Sequence, residues 1–172
     1  MAEKSQSASW QRMTLITIPA IVILGDLIGY FSQSGSRNVW FLGLVKPFFM
    51  PPGWLFAVAW NFLYALMGIS LAMVLAEEKS SRRRLALQLF FVQLILNYAW
   101  PLIFFAAHDI GVAKIVIFVM TAVAAAAAGQ FMRIRKKAGL LLIPYLAWLV
   151  FAATLNSTIE FLNPGAGRSL FG

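Results

Sequence analysis

Five long apolar stretches alternate with short polar ones along this chain. Uninterrupted apolar length marks spans at roughly 13–31, 54–76, 85–107, 112–132 and 140–162. An apolar run of about 20 residues is long enough to cross a bilayer as a helix. Only helices and closed barrels satisfy their own backbone groups in lipid, and runs of this length mean helices. The polar breaks are sharp: Gln33 to Arg37, Glu77 to Arg84, Ala107 to Gly111 and Arg133 to Gly139. The pattern therefore predicts an all-α membrane protein, a five-helix transmembrane bundle forming a single domain over residues 1–172.

The start of the second span is the most distinctive segment. Lys46-Pro47-Phe48-Phe49-Met50-Pro51-Pro52-Gly53-Trp54 leads abruptly into a run with no charge until Glu77. Proline lacks an N–H and fixes φ, so Pro51-Pro52 suits an extended approach followed by a helix start. Trp54 falls where an indole favours the membrane interface. Trp60 lies about 10 Å deeper at 1.5 Å per residue, a depth that calls for a packing role or a ligand. A cleaved leader is the weaker reading of the first span, which is long for a leader's apolar core although Ser32-Gln33-Ser34 imitates a cleavage site.

Composition agrees with lipid as the solvent. The chain is 61% hydrophobic and 12% charged, with a mean hydropathy of +0.80. A soluble domain is only about half apolar. With no cysteine, disulfides, thiolate metal sites and a cysteine nucleophile are excluded. The net charge of +8 is a topology signal rather than a nucleic-acid footprint. Ten of the 14 Lys and Arg residues fall on the N-terminal tail and the second and fourth loops, among them Lys79, Arg82, Arg83, Arg84, Arg133 and Arg135. The other four are Arg37, Lys46, Lys114 and Arg168. The positive-inside rule then puts the N-terminus inside and the C-terminus outside. Anionic lipid is an added partner for the basic clusters.

Helical phase gathers the polar and aromatic residues. Gln93, Asn97 and Trp100 share one face of the third span, and Tyr145, Trp148, Ala152 and Asn156 share one face of the fifth. Gly53, Ala57, Trp60 and Tyr64 do the same on the second. The alternating topology brings the three faces to overlapping depths. Amides are costly in hydrocarbon unless paired, so these faces should turn inward. Two readings stay open from the pattern. Either the amides bond neighbouring helices while the indoles fill the bundle, or the set lines a pocket with flat aromatic walls and a few polar groups.

Other chemistry is thin. His108 sits in a short loop and reads as an interfacial residue rather than a ligand. No cluster suited to a metal or to acid–base work stands out, and there is no glycine-rich phosphate loop. Asp26 lies inside the first span. An intramembrane carboxylate is a functional candidate, set against an interfacial acid that snorkels to water or pairs with Arg37 or Lys46. Gly25 and Gly29 around it form a Gly-x-x-x-Gly, a close-packing motif usable in a dimer seam, and the alanines from Ala122 to Ala128 offer another smooth face.

Three motifs in order carry a specific resemblance. Lys46-Pro47 through Pro51-Pro52-Gly53-Trp54, Trp60, Tyr64 and Met67-Gly68 form the first, and Leu96-Asn97-Tyr98-Ala99-Trp100-Pro101 through Phe105 the second. Pro144-Tyr145-Leu146-Ala147-Trp148 through Asn156 forms the third. Over roughly residues 40–156 the chain resembles the TspO/MBR family, the tryptophan-rich sensory proteins and mitochondrial translocator protein. The resemblance implies five helices around a pocket capped by the first loop, and commonly a homodimer. It implies porphyrin binding, with sterols and benzodiazepine-type drugs as ligands of some members. The matching pocket positions are Trp60, Asn97, Trp100, Trp148, Ala152 and Asn156, with Trp40 in the lid. Tyr64 and Tyr145 join them on helical phase.

Some positions depart from the family. Phe49 stands where many relatives carry a lid tryptophan, and Ser157 and Phe161 replace the tyrosine and arginine of the mitochondrial sterol motif. A reversed sterol pattern fits Lys46 to Leu55, a weak match of a kind that arises by chance. The resulting expectation is a multi-pass receptor or carrier for protoporphyrin-like tetrapyrroles, with no resident cofactor, metal or nucleic-acid partner. Its membrane would be the inner one of a bacterium, with the outer membrane as the alternative. The alternative function is a light-dependent porphyrin-degrading enzyme in which Trp60 and Trp148 do the photochemistry. A scaffold whose aromatics only pack is the third reading.

Overall fold

The computed structural model describes residues 2–167. Seven helices follow in order, with no strand among the described residues: α1 (Ala2–Phe31), α2 (Val39–Gly43), α3 (Gly53–Leu75), α4 (Ser81–Pro101), α5 (Ile110–Ile134), α6 (Lys136–Leu140) and α7 (Ile143–Leu162). Five of them, α1, α3, α4, α5 and α7, are long and apolar enough to cross a membrane. The expected all-α five-helix bundle is what the chain forms.

Helix ends follow local chemistry. Pro52 is extended (φ −62°, ψ 146°) and α3 begins at the next residue, as the double proline requires. Arg83 reaches back across the following loop and donates to the Val74 and Leu75 carbonyls (3.0 and 2.7 Å), which the end of α3 leaves without intrahelical partners. Ser80 and Asp109 cap α4 and α5 by accepting from Arg83 N and Val112 N (3.1 and 2.8 Å).

Three boundaries differ from the apolar pattern. Helix α1 begins at Ala2 rather than near residue 13, because Ala2, Glu3, Lys4 and Gln6 all have good helix propensity. The fifth span is not one helix from residue 140. It breaks after α6 and restarts at Ile143, where Pro144 sits in the first turn and needs no N–H partner. Beyond Pro101, α4 widens into a π turn over Leu102–Ala106, closed by Ala107 N donating to Leu102 O (2.9 Å).

Around the bundle, α3 packs along α1, α1 touches α4, α4 packs along α5, α5 along α7, and α7 returns to α3. The α1–α3 seam is close because Gly68 lacks a side chain. A Cβ there would come within 2.8 Å of the Ile18 Cα, and Thr17 Oγ1 donates to Gly68 O (2.8 Å). Between α4 and α5, Phe90 stacks on Phe131 at 5.5 Å. The α3–α7 seam is different: large rings, not small residues, span it. Arg135 pairs with Glu77 (3.3 Å) and Ser70 donates to Ala138 O (2.8 Å), so the two basic loops share one end of the bundle. Arg168 of the opposite group lies outside the described residues.

The loop between α1 and α3 forms a strap over the other end. It contains a 3-10 turn at Gly35–Arg37 and the short α2. Asn38 accepts from Phe41 N (2.9 Å) and donates to Phe105 O in the π turn (2.8 Å). Lys46 Nζ donates to the Phe41, Leu42 and Leu44 carbonyls and closes the end of α2. Asn163, just past α7, clasps Val45 from both sides: Val45 N donates to its Oδ1 (2.7 Å) and its Nδ2 donates to Val45 O (2.8 Å).

Candidate functional site

The buried amides Gln93 and Asn97 on α4 and Asn156 on α7 find protein partners, as burial in a membrane protein demands. Tyr64 OH donates to Asn97 Oδ1 (2.8 Å), Asn97 Nδ2 to Tyr145 OH (3.1 Å), and Tyr145 OH to Gln93 Oε1 (2.7 Å). This chain of bonds ties α3, α4 and α7, and all four residues are buried. Nearer the strap, Trp100 Nε1 donates to Asn156 Oδ1 (3.2 Å), and Asn156 Nδ2 donates to Ile110 O at the start of α5 (3.1 Å).

Aromatic rings fill the α3–α7 seam beside this network. Trp60, one turn from Tyr64, packs on it with ring centroids 5.4 Å apart. Trp60 also meets Tyr145 at 6.4 Å and Trp148 at 6.3 Å, the latter edge to face at 81°. Phe56 closes on Trp148 at 5.7 Å, and Phe151 at 5.4 Å. Phe49 of the strap reaches Phe151 at 6.5 Å. Ala152 is half-buried and packs against the same core.

One polar atom in this chamber is not satisfied. Trp148 Nε1 is buried and has no acceptor among the described residues. Burying an indole N–H without a hydrogen bond costs roughly 1–3 kcal/mol. The other orphaned indole N–H belongs to Trp10, at the opposite end of the bundle, whose ring lies 5.6 Å from the Arg135 guanidinium. Trp40 and Trp100, by contrast, bond to Ala166 O and Asn156.

Of the residues singled out from sequence, Trp60, Tyr64, Asn97, Tyr145, Trp148 and Ala152 come together around the α3–α7 seam. Trp100 and Asn156 lie next to them towards the strap, with Trp100 stacked on Phe104 at 5.0 Å. Trp40 is set apart. Its ring stacks on His108 at 4.4 Å and meets Phe104 at 5.8 Å, so it reaches Trp100 only through Phe104. His108 is therefore a stacking partner of the strap. Sequence reasoning places Phe49 in the lid but misses Phe56 and Phe151, which pack on Trp148. Phe56 precedes Trp60 by four residues and Phe151 follows Trp148 by three, so the helical phase that found the tryptophans reaches both.

Two expectations about α1 change. Asp26 pairs with neither Arg37 nor Lys46: Asn61 Nδ2 on α3 donates to its Oδ1 (3.3 Å), while Arg37 lies over the Tyr30 ring and Lys46 caps α2. Gly25 is not free for a dimer seam, since a Cβ there would overlap the Tyr64 ring. Gly29, one turn on, has open space around it.

Aromatic edges and faces and one donor without a partner among the described residues make this seam the candidate site for a flat apolar molecule. Two grooves lie elsewhere, on the outside of the bundle. One of about 450 Å³ runs between α5 and α7, lined by residues such as Phe118, Thr121 and Phe161. Its hydroxyls are spent: Thr121, Thr154, Ser157 and Thr158 each donate to a carbonyl one turn back in their own helix. The other, of about 790 Å³, follows α4 from its basic end.

Comparison with known proteins agrees with this architecture. Residues 15–162 match the TspO/MBR family. The tryptophan-rich protein TspO of Chlorobaculum tepidum is 41% identical over 160 residues, covering 90% of this chain and 98% of the relative. The TspO of Archaeoglobus fulgidus is 37% identical over 147 residues, covering 86% and 94%. The translocator protein of Sus scrofa is 39% identical over 158 residues, covering 86% and 92%. With five spanning helices and a family match across nearly all of them, this chain belongs to the TspO/MBR family of multi-pass integral membrane proteins.

Proposed function

We propose that this protein is a membrane receptor or carrier that binds protoporphyrin-like tetrapyrroles in the aromatic chamber between α3 and α7. The observation that carries the proposal is the Trp148 indole N–H, buried among rings without an acceptor. Neighbouring polar groups are spent on one another: Tyr64, Asn97, Tyr145 and Gln93 form a closed series of bonds. A macrocycle supplies what the site lacks, a flat apolar face for Trp60, Phe56 and Phe151 and an acceptor for Trp148. The two indoles touch edge to face, so the ligand lies against the pair rather than between them. The chamber brings in no imidazole or thiolate, so the metal-free porphyrin suffices. Relatives named for translocation and for sensing are consistent with carriage or sensing of that ligand.

Titration of the purified protein with protoporphyrin IX, read by its absorption difference spectrum, tests this. Saturable binding by wild type, weakened by Trp148→Ala and retained in Arg37→Gln, is expected. Identical binding by wild type and Trp148→Ala would remove the chamber as the site.

Light-driven breakdown of the bound porphyrin is the second reading. The contact between Trp60 and Trp148 favours it, because two oxidisable indoles would adjoin the ligand. Illumination of the complex in air separates the two, since only the enzyme reading requires the porphyrin band to decay faster than in detergent alone.

A further inference from the structure

The groove along α4 has two chemically different ends. Lys79 and Arg84 line one end, and Leu87, Phe91, Val92 and Ile95 continue it along the helix, in a volume of about 790 Å³. From Arg84 to Ile95 the stripe runs about 16 Å at 1.5 Å per residue. Phe91, Val92 and Ile95 are 47, 46 and 66% exposed, an apolar surface facing outward from the bundle.

The basic end is short of negative charge. Among the described residues the ion pairs are Lys114–Glu160 and Arg135–Glu77, so the loop's own Glu77 is already spent on Arg135. Glu78 is the remaining acid of that loop, against Lys79, Arg82, Arg83 and Arg84. Arg83 bonds only to neutral carbonyls, so its charge is not cancelled either. The positive end of the α4 helix dipole adds to the same field.

We propose that this groove is a binding site for one anionic glycerophospholipid of the surrounding leaflet. Its phosphate lies between Lys79 and Arg84, and an acyl chain follows Leu87, Phe91, Val92 and Ile95 into the membrane. Charge complementarity fixes the head, and the apolar stripe continuing from it fixes the tail. A basic cluster that only anchored topology would need no groove leading from it into the hydrocarbon.

Native mass spectrometry of the full chain, taken from micelles holding equal phosphatidylglycerol and phosphatidylcholine, tests the site. Wild type should keep one phosphatidylglycerol in preference to phosphatidylcholine. Lys79→Gln with Arg84→Gln should weaken its retention about thirtyfold, from the usual contribution of two basic residues at a membrane surface. These side chains bond to no other described residue, so the variant should fold. Phe91→Ser, which leaves the charge untouched, should also lower retention. Arg133→Gln with Lys136→Gln, at the same end but outside the groove, should leave it unchanged. Equal retention of the two lipids, or an equal loss in the Arg133/Lys136 variant, would overturn the proposal. So would displacement of the lipid by millimolar inorganic phosphate, which would mark a simple anion site.

Discussion

Trp60 and Trp148 meet edge to face across the α3–α7 seam, with centroids 6.3 Å apart and planes at 81°. Such a pair is worth about 0.5–1.5 kcal/mol beyond its buried area. It therefore ties α3 to α7 across the seam, and at the proposed site it would place two indoles beside the ligand. Trp60→Ala should weaken protoporphyrin binding by up to about tenfold, at 1.4 kcal/mol per decade. Trp60→Phe keeps a ring and should lose less. If light-driven breakdown occurs, Trp60→Phe should slow it far more than it weakens binding, which simultaneous absorbance and binding measurements would separate.

Asn97 joins two tyrosines. Its replacement by Leu leaves the buried Tyr64 hydroxyl without its acceptor and removes the bond donated to Tyr145, whose own hydroxyl still donates to Gln93. The expected loss is about 0.6–1.7 kcal/mol per bond in the membrane interior. Thermal unfolding in detergent should record it, and adding Tyr145→Phe should cost less in Asn97→Leu than in wild type.

The two glycines of α1 should behave differently. Gly25→Leu collides with Tyr64 and should reduce folded yield, because rings in a packed core cannot yield without opening a gap. Gly29→Leu meets open space and should fold normally. Cross-linking in lipid should reveal a homodimer. If Gly29→Leu weakens it, that outer face of α1 is the seam; if not, the seam is elsewhere.

Much of this was legible in the sequence because lipid makes the pattern simple. An uncharged run of the right length has to be a helix, and an amide deep in it is costly unless it turns inward to a partner. That logic reached Asn97, Asn156, Trp60 and Trp148 without a structure. It did not reach the Asp26–Asn61 pair, since partners on different helices depend on crossing geometry that no single helix encodes. Nor did it reach the π turn after Pro101, or the clasp of Asn163 on Val45, which closes over 118 residues of chain. Gly25 looked like a seam to a neighbouring molecule because spacing identifies a smooth face but not what covers it.

The clasp yields its own prediction. Asn163→Ala removes both bonds to Val45, worth together about 1 kcal/mol at a partly exposed site. The strap should open more often, and stopped-flow measurement of porphyrin release should show about a fivefold faster rate. Unchanged release would mean that ligand leaves by another path, such as sideways between α3 and α7.

The central claim is that Trp148 carries the unspent donor of a ligand site. Indole N–H resonances of the ¹⁵N-labelled protein report on this directly, since each of the six tryptophans gives one signal. The Trp148 signal is assigned by its absence in Trp148→Phe. On adding one equivalent of protoporphyrin IX it should move downfield, as a newly bonded N–H does, and saturate at a one-to-one ratio. The Trp10 and Trp54 signals should stay in place. A Trp148 signal that does not move while the porphyrin is bound would contradict the account.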